Sequence, residues 1–145
     1  MNLLLKLKHL GLAAMLIATA AVAQTAILTD AQRTDGEAMV QKAAEQLADT
    51  LRDPSSALFR KVFLQKSIGR DGKEYVSLCG EVNSRNGYGG MSGFHAFMLS
   101  GDIVWVGGPG QIINPDEICN NGRATIDSRD YSPELRLAFR SRAGM

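Results

Sequence analysis

One run of twelve residues holds the densest polar chemistry in the chain: Cys79-Gly80-Glu81-Val82-Asn83-Ser84-Arg85-Asn86-Gly87-Tyr88-Gly89-Gly90. Asn83 and Asn86 each carry both donors and an acceptor. Arg85 can clamp a carboxylate or a phosphate with its planar fork. Tyr88 adds an amphipathic contact surface. Glycines let a ligand approach the backbone closely. The run lacks the spacing and the lysine of a phosphate-binding P-loop. It also lacks the strand-to-helix spacing of a dinucleotide fold. The same residue types build turns, with asparagines bonding the backbone and glycines supplying positive φ. A ligand-contacting loop and a self-braced turn are therefore both open at this point.

Glu81 and His95 are the candidates for catalysis. A carboxylate and an imidazole in contact could serve as general acid and base. Spacing places no second carboxylate or nucleophile beside them. The bland alternative is Glu81 salt-bridged, for example to Arg60, and His95 as an ordinary strand histidine between Phe94 and Ala96. Two cysteines and one histidine are too few for a zinc site. Asp116, Glu117, Asp127 and Asp130 lack calcium-loop spacing. No metal or cofactor is implied.

With Asp53-Pro54-Ser55-Ser56-Ala57-Leu58-Phe59-Arg60, the polar run resembles a group of small exported bacterial proteins. Their shared pattern is Asp-Pro-x-Ser-Ala-x-Phe-Arg, then Cys-Gly-Glu-Val-Asn-x-x-Asn, a Gly-rich stretch and a late Cys. The match covers residues 51–97, with Cys119 beyond it. It departs at Met91, where the pattern has Tyr, which removes an aromatic contact there. The resemblance implies fold and export and brings no activity.

Export is also legible in the first 23 residues. Lys6, Lys8 and His9 form a basic start, and residues 10–23 carry no charge and end Ala21-Val22-Ala23. This is the layout of a secretory signal peptide, with cuts after Ala20 or Ala26 as alternatives. The run falls short of the roughly 20 apolar residues of a membrane span. No cysteine follows it for lipid attachment. Cleavage leaves about 122 residues (24–145), the size of one domain. In an oxidising compartment, an even cysteine count favours a Cys79–Cys119 disulfide over a reactive thiol with His95 as its base.

The elements that must position these residues follow from pattern. Thr29-Asp30-Ala31-Gln32 and Thr34-Asp35-Gly36-Glu37 both read as helix starts. Val40, Ala43, Ala44, Leu47 and Leu51 then recur at helical spacing, predicting a helix that ends near Arg52. Asp53 and Pro54 suit one further turn through Ala57 and Leu58. Strands are expected over 60–68 and 74–82, joined by Gly69-Arg70-Asp71-Gly72. In the second strand Val76, Leu78, Gly80 and Val82 share one side, and Tyr75, Ser77, Cys79 and Glu81 the other. Residues 94–99 and 103–106 make another hairpin about Gly101-Asp102. Trp105 reads as core or sheet surface. Residues 114–130 read as a turn-rich crossing. Ser132 then caps a short helix, with Pro133 first and Leu135, Ala138 and Phe139 inward. The fold class is α+β: an N-terminal and a short C-terminal helix on a roughly four-stranded antiparallel sheet, with one disulfide.

Composition bounds the function. The 145 residues hold 16 Lys+Arg against 15 Asp+Glu, a net charge of +1. Loss of Lys6 and Lys8 with the signal brings this to about −1, which excludes a polycation for nucleic acid and gives no bulk pull toward an anionic membrane. At 45% hydrophobic residues the chain is not intrinsically disordered. The expectation is a periplasmic or secreted binding module. Its contacts would come from Arg60, Glu81, Asn83, Arg85, Asn86 and Tyr88, with Tyr75 and Trp105 nearby, and its partner would be another envelope protein, including a hydrolase it inhibits. The alternatives are a small envelope hydrolase using Glu81 and His95, or an assembly component docking through its Arg-rich last helix. Intact-mass analysis of the mature protein should give a chain starting at Gln24, two hydrogens lighter than the dithiol. Two freely alkylated cysteines would exclude the bridge.

Overall fold

The computed structural model describes residues 30–68, 71–120, 124–126 and 129–144. The signal-peptide expectation lies outside them. Helix α1 (Asp30–Thr50) leads through a 3-10 turn (Pro54–Ser56) into β1 (Leu58–Ile68) and β2 (Glu74–Asn83). Strands β3 (His95–Ser100) and β4 (Ile103–Val106) follow. A short helix α2 (Pro115–Asn120), a two-residue strand β5 (Ala124–Thr125) and α3 (Ser132–Arg142) complete the fold. The sheet order is β4-β3-β2-β1-β5, antiparallel at every pairing. The expected α+β class, four main strands and disulfide are all present; β5 adds a brief fifth strand.

The helices pack on one sheet face because their apolar stripes and alternate strand residues meet there. Val40, Ala43, Ala44 and Leu47 of α1 and Leu135, Ala138 and Phe139 of α3 are buried. They close on Phe59, Val62, Leu64, Leu78, Val82, Phe97 and Leu99 of the inner sheet face. Phe59 stands edge-on to Phe139 at 5.0 Å and to Phe97 at 6.4 Å. The apolar side of α3 is thus core, while Arg136, Arg140 and Arg142 lie exposed on its other side.

The second helix start, Thr34-Asp35-Gly36-Glu37, is not a start, because α1 runs straight through it. Gly36 is there for close approach. A Cβ on it would lie 2.9 Å from Leu64 Cδ1 and 3.0 Å from the Tyr131 hydroxyl. The turn after Asp53 closes at Ser56 rather than at Leu58, and β1 begins two residues earlier than its apolar pattern suggests.

One irregularity shapes β1. Its register with β2 shifts between Arg60 and Phe63, and Lys61 sits at φ 53°. This is a β-bulge, one extra residue on one strand. It keeps both Phe59 and Val62 inward although they are three residues apart. Arg60 and Lys61 both go to the outer side.

Side chains close both sheet edges. On β1, the Val62 amide donates to Asp130 Oδ1 at 3.1 Å and to Ser132 Oγ at 3.2 Å. Tyr131 N donates to Val62 O at 2.7 Å, and Ile126 N to Leu64 O at 3.0 Å. On β4, the Val104 amide donates to Gln46 Oε1 at 2.7 Å, and Gln46 Nε2 donates to Asp102 O at 2.5 Å. Lys42 pairs with Asp102 beside it.

The outer sheet face carries the 107–120 strap. Cys79 and Cys119 are joined, with Cα atoms 6.0 Å apart. Closing a loop of 40 residues stabilises the fold by roughly 4 kcal/mol on the chain-entropy account. The buried Gln65 side chain donates to Ile118 O at 3.0 Å, a second tether for the strap. The crossing expected to be irregular thus contains α2 and β5. No helix among the described residues is long and apolar enough to cross a membrane.

Ser132 is the first residue of α3 rather than its cap. The capping oxygen is Asp130 Oδ1, which accepts from Ser132 N at 2.9 Å and from its hydroxyl. Burial disfavours the charged form of Asp130, but the Ser132 hydroxyl and amide and the Val62 amide outweigh it and hold the carboxyl below its ordinary value. A depressed folded value stabilises above the unfolded pKa and is lost as pH falls through the folded one. Asp130→Ala should cost about 1–2 kcal/mol at pH 7. In urea titrations, the gap between variant and wild type should narrow as the pH falls below the ordinary aspartate value. A gap that persisted there would show that the charge of Asp130 is not what holds the tail.

Candidate functional site

Residues 53–60 and 79–90 meet at one end of the sheet. Asp53 accepts the Ser55 hydroxyl, and its other oxygen lies 3.6 Å from Arg85 Nη1. The Arg85 amide donates to Ser56 Oγ at 2.8 Å. The Ser55 hydroxyl foremost, with Arg85 and Ser56, holds the Asp53 carboxyl below its usual value against the opposing effect of burial.

Four residues before Arg85, Glu81 receives Arg60 Nε and Lys61 Nζ, the latter at 2.8 Å. Lys61 is the larger cause of a lowered Glu81 value, with Arg60 adding to it and partial burial opposing. Glu81 is thus a carboxylate held ionised by two cations, a poor proton donor near neutral pH. Arg60 also lies over Phe94, its Cζ 3.7 Å from the ring centroid, in a cation–π contact.

The Glu81–His95 pair does not form. Glu81 faces Ala96 across the ladder, and Val82 faces His95. Neighbours on a strand point to opposite faces, so the carboxylate and the imidazole are divided by the sheet. His95 lies on the helix side, in a cleft of about 210 Å³ lined by Leu51, Val82, Ser84, Arg85 and Val106. That is below the roughly 300 Å³ at which ligand pockets begin. A half-open cavity of about 520 Å³ at the far end of the sheet, over Met39, Leu64, Val76 and Ile126, holds none of the expected site residues.

The Gly-rich loop is braced from within. Asn86 Oδ1 accepts from Tyr88 N at 2.9 Å and from Gly90 N at 3.2 Å. The Asn86 amide donates to Gly90 O at 2.8 Å, and Gly89 N donates to Asn86 O at 3.0 Å. Gly89 sits at φ 83°, where a side chain would be strained. An isolated bridge links Arg85 to Met91. Tyr88, 99% exposed, is held out at the tip. Asn83 is half-buried, and its amide oxygen is enclosed with no donor among the described residues.

The expected residues thus divide by use. Glu81 and Asn86 hold the site together, Asn83 is enclosed, and Arg85 is shared with Asp53. Arg60 and Tyr88 face outward. Tyr75 belongs to the other end of β2, where its hydroxyl donates to Asp71 Oδ2 at 2.8 Å. Trp105 is half-buried opposite Met98 in the sheet, away from the loop. Residue types alone did not mark Lys61, Leu58 and Phe94, which the bulge and the register bring to the site. The one signal was Phe59 and Val62, three apart in a strand whose inward residues should alternate.

Among the described residues, no cluster of three ligating side chains could hold a metal. No family model matches the chain, and the searches of curated proteins and solved structures found nothing similar to it.

Asn86→Ala removes the acceptor of two loop amides. It should cost about 1 kcal/mol and raise amide exchange at Tyr88 and Gly90 while β2 and β3 stay protected. Unchanged exchange at those two amides would mean that the loop does not depend on Asn86.

Proposed function

We propose that this chain is an exported periplasmic binding module. Its contact surface is the loop end of the sheet, built around Arg60, Phe94, Met91 and Tyr88. The observation that carries this is the clustering of large apolar side chains left in solvent there. Tyr88 is fully exposed, and Leu58, Met91 and Phe94 are 50%, 46% and 36% exposed. Exposed apolar groups interleaved with arginine are what protein contact surfaces use. The braced loop supports the same function, because a pre-ordered tip loses little entropy on binding. Asp53, Glu81 and Asn86 are taken up in holding this end together. The partner is another envelope protein, and inhibition of a hydrolase by insertion of the loop tip is one form the contact would take. The signal-like start and the disulfide support an oxidising compartment outside the cytoplasm.

A photo-crosslinking residue placed at Tyr88 or Met91 should yield one discrete adduct in living cells. The same residue at Ile103, 55% exposed at the opposite end of the sheet, should yield none. Adducts of equal strength from all three positions, or none from any, would remove the loop end as the contact surface.

A further inference from the structure

We infer that the partner of this surface is acidic, a protein segment whose carboxylates flank an apolar side chain. This rests on the interaction module proposed above and names the chemistry of what it binds. The bulge is the starting point. It sends Arg60 and Lys61, consecutive in sequence, to the same side of β1, where both reach the single carboxylate of Glu81. Arg85 reaches only Asp53, at 3.6 Å. Arg52 is exposed and forms no ion pair among the described residues. Three cations therefore share two carboxylates, and Arg52 is paired with none among the described residues.

Exposure sharpens the imbalance. The side chains of Arg60, Lys61 and Arg85 are 49%, 67% and 56% exposed, while those of Glu81 and Asp53 are 23% and 31% exposed. An approaching partner meets the cations. The exposed carboxylates of neighbouring elements, Asp49 on α1 and Asp116 and Glu117 on α2, pair with none of these cations.

The apolar part shares that side. Leu58 is opposite Asn83 in the ladder, and Phe94 lies under the Arg60 guanidinium. A guanidinium stacked on a ring keeps its in-plane N–H groups for a carboxylate. Arg60 gives Nε to Glu81, which fixes its orientation and leaves the outer edge of the fork for a partner. An anionic membrane fits less well, because lipid-binding segments gather about four to eight cations without carboxylates holding them.

The test is an NMR titration of the mature, disulfide-intact protein with three probes. These are a synthetic peptide alternating glutamate with leucine, the same peptide with lysine for glutamate, and phosphatidylglycerol vesicles. The acidic peptide should shift the amides of Arg60, Lys61, Met91 and Phe94, and the other two probes should not. Its apparent Kd should rise about five- to tenfold in Arg60→Gln/Lys61→Gln. It should also rise several-fold between about 20 and about 200 mM salt. Arg52→Gln, which touches no ion pair of the fold, should weaken binding in the same direction and guards against a folding defect in the double variant. Equal response to the lysine peptide, or binding to vesicles alone, overturns the proposal. If Tyr88 still crosslinks to a partner while the acidic peptide leaves the spectrum unchanged, the acidic chemistry falls and the module stands. If crosslinking is lost as well, both fall.

Discussion

The bulge at Arg60–Phe63 is the constraint on which most of this structure depends. With Phe59 inward, a regular strand would turn Lys61 and Phe63 to the core and Val62 and Leu64 to the outside. The extra residue reverses that assignment. Val62 and Leu64 enter the core, and Lys61 joins Arg60 outside it. The cost is one lysine in the left-handed region, about 1 kcal/mol. Burial of two aliphatic side chains offsets it several times over. The same local turn presents the Val62 amide and carbonyl to the C-terminal segment, which is how α3 is anchored. Core, site and tail closure therefore share one backbone irregularity.

The polar chemistry of the loop end is mostly internal. Asp53, Glu81 and Asn86 look like ligand-handling groups by residue type. Each spends its oxygens on neighbours: a hydroxyl and an arginine, two cations, and two backbone amides. Their service is to hold Arg60, Phe94 and Tyr88 in place. Residues 53–60 and 79–90, separated in sequence, are the two sides of one set of contacts, with Ser56 bonded to Arg85 and Arg60 to Glu81.

Much of the fold was legible because it rests on short-range rules. Helical spacing placed α1, alternation placed β2 with its two faces, and Ser132-Pro133-Glu134 placed the start of α3 within a residue. Alternation along β2 already set Glu81 apart from Val82, but only the β2–β3 register shows that His95 sits with Val82. Long-range facts were not legible. Gly36 reads as a helix-start residue until Leu64 and Tyr131 are seen against it. α2 is six residues long and is held by a disulfide and one glutamine rather than by its own propensity. The bulge left only a broken alternation, which a sequence pattern does not distinguish from a strand end.

The closed edges of the sheet bear on how this chain survives its own synthesis. A polypeptide emerges N-terminus first, from the ribosome or from an export channel. Gln46, which closes β4, is already present when that strand appears. The groups that close β1 come from residues 126–132, which follow all four main strands in the sequence. Until they arrive, the longest strand of the sheet offers open backbone groups to any similar strand nearby, including that of another copy. Residues 126–132 cover that edge of β1 only once they have been made. Chains clipped or terminated early would be adhesive to one another as well as unstable.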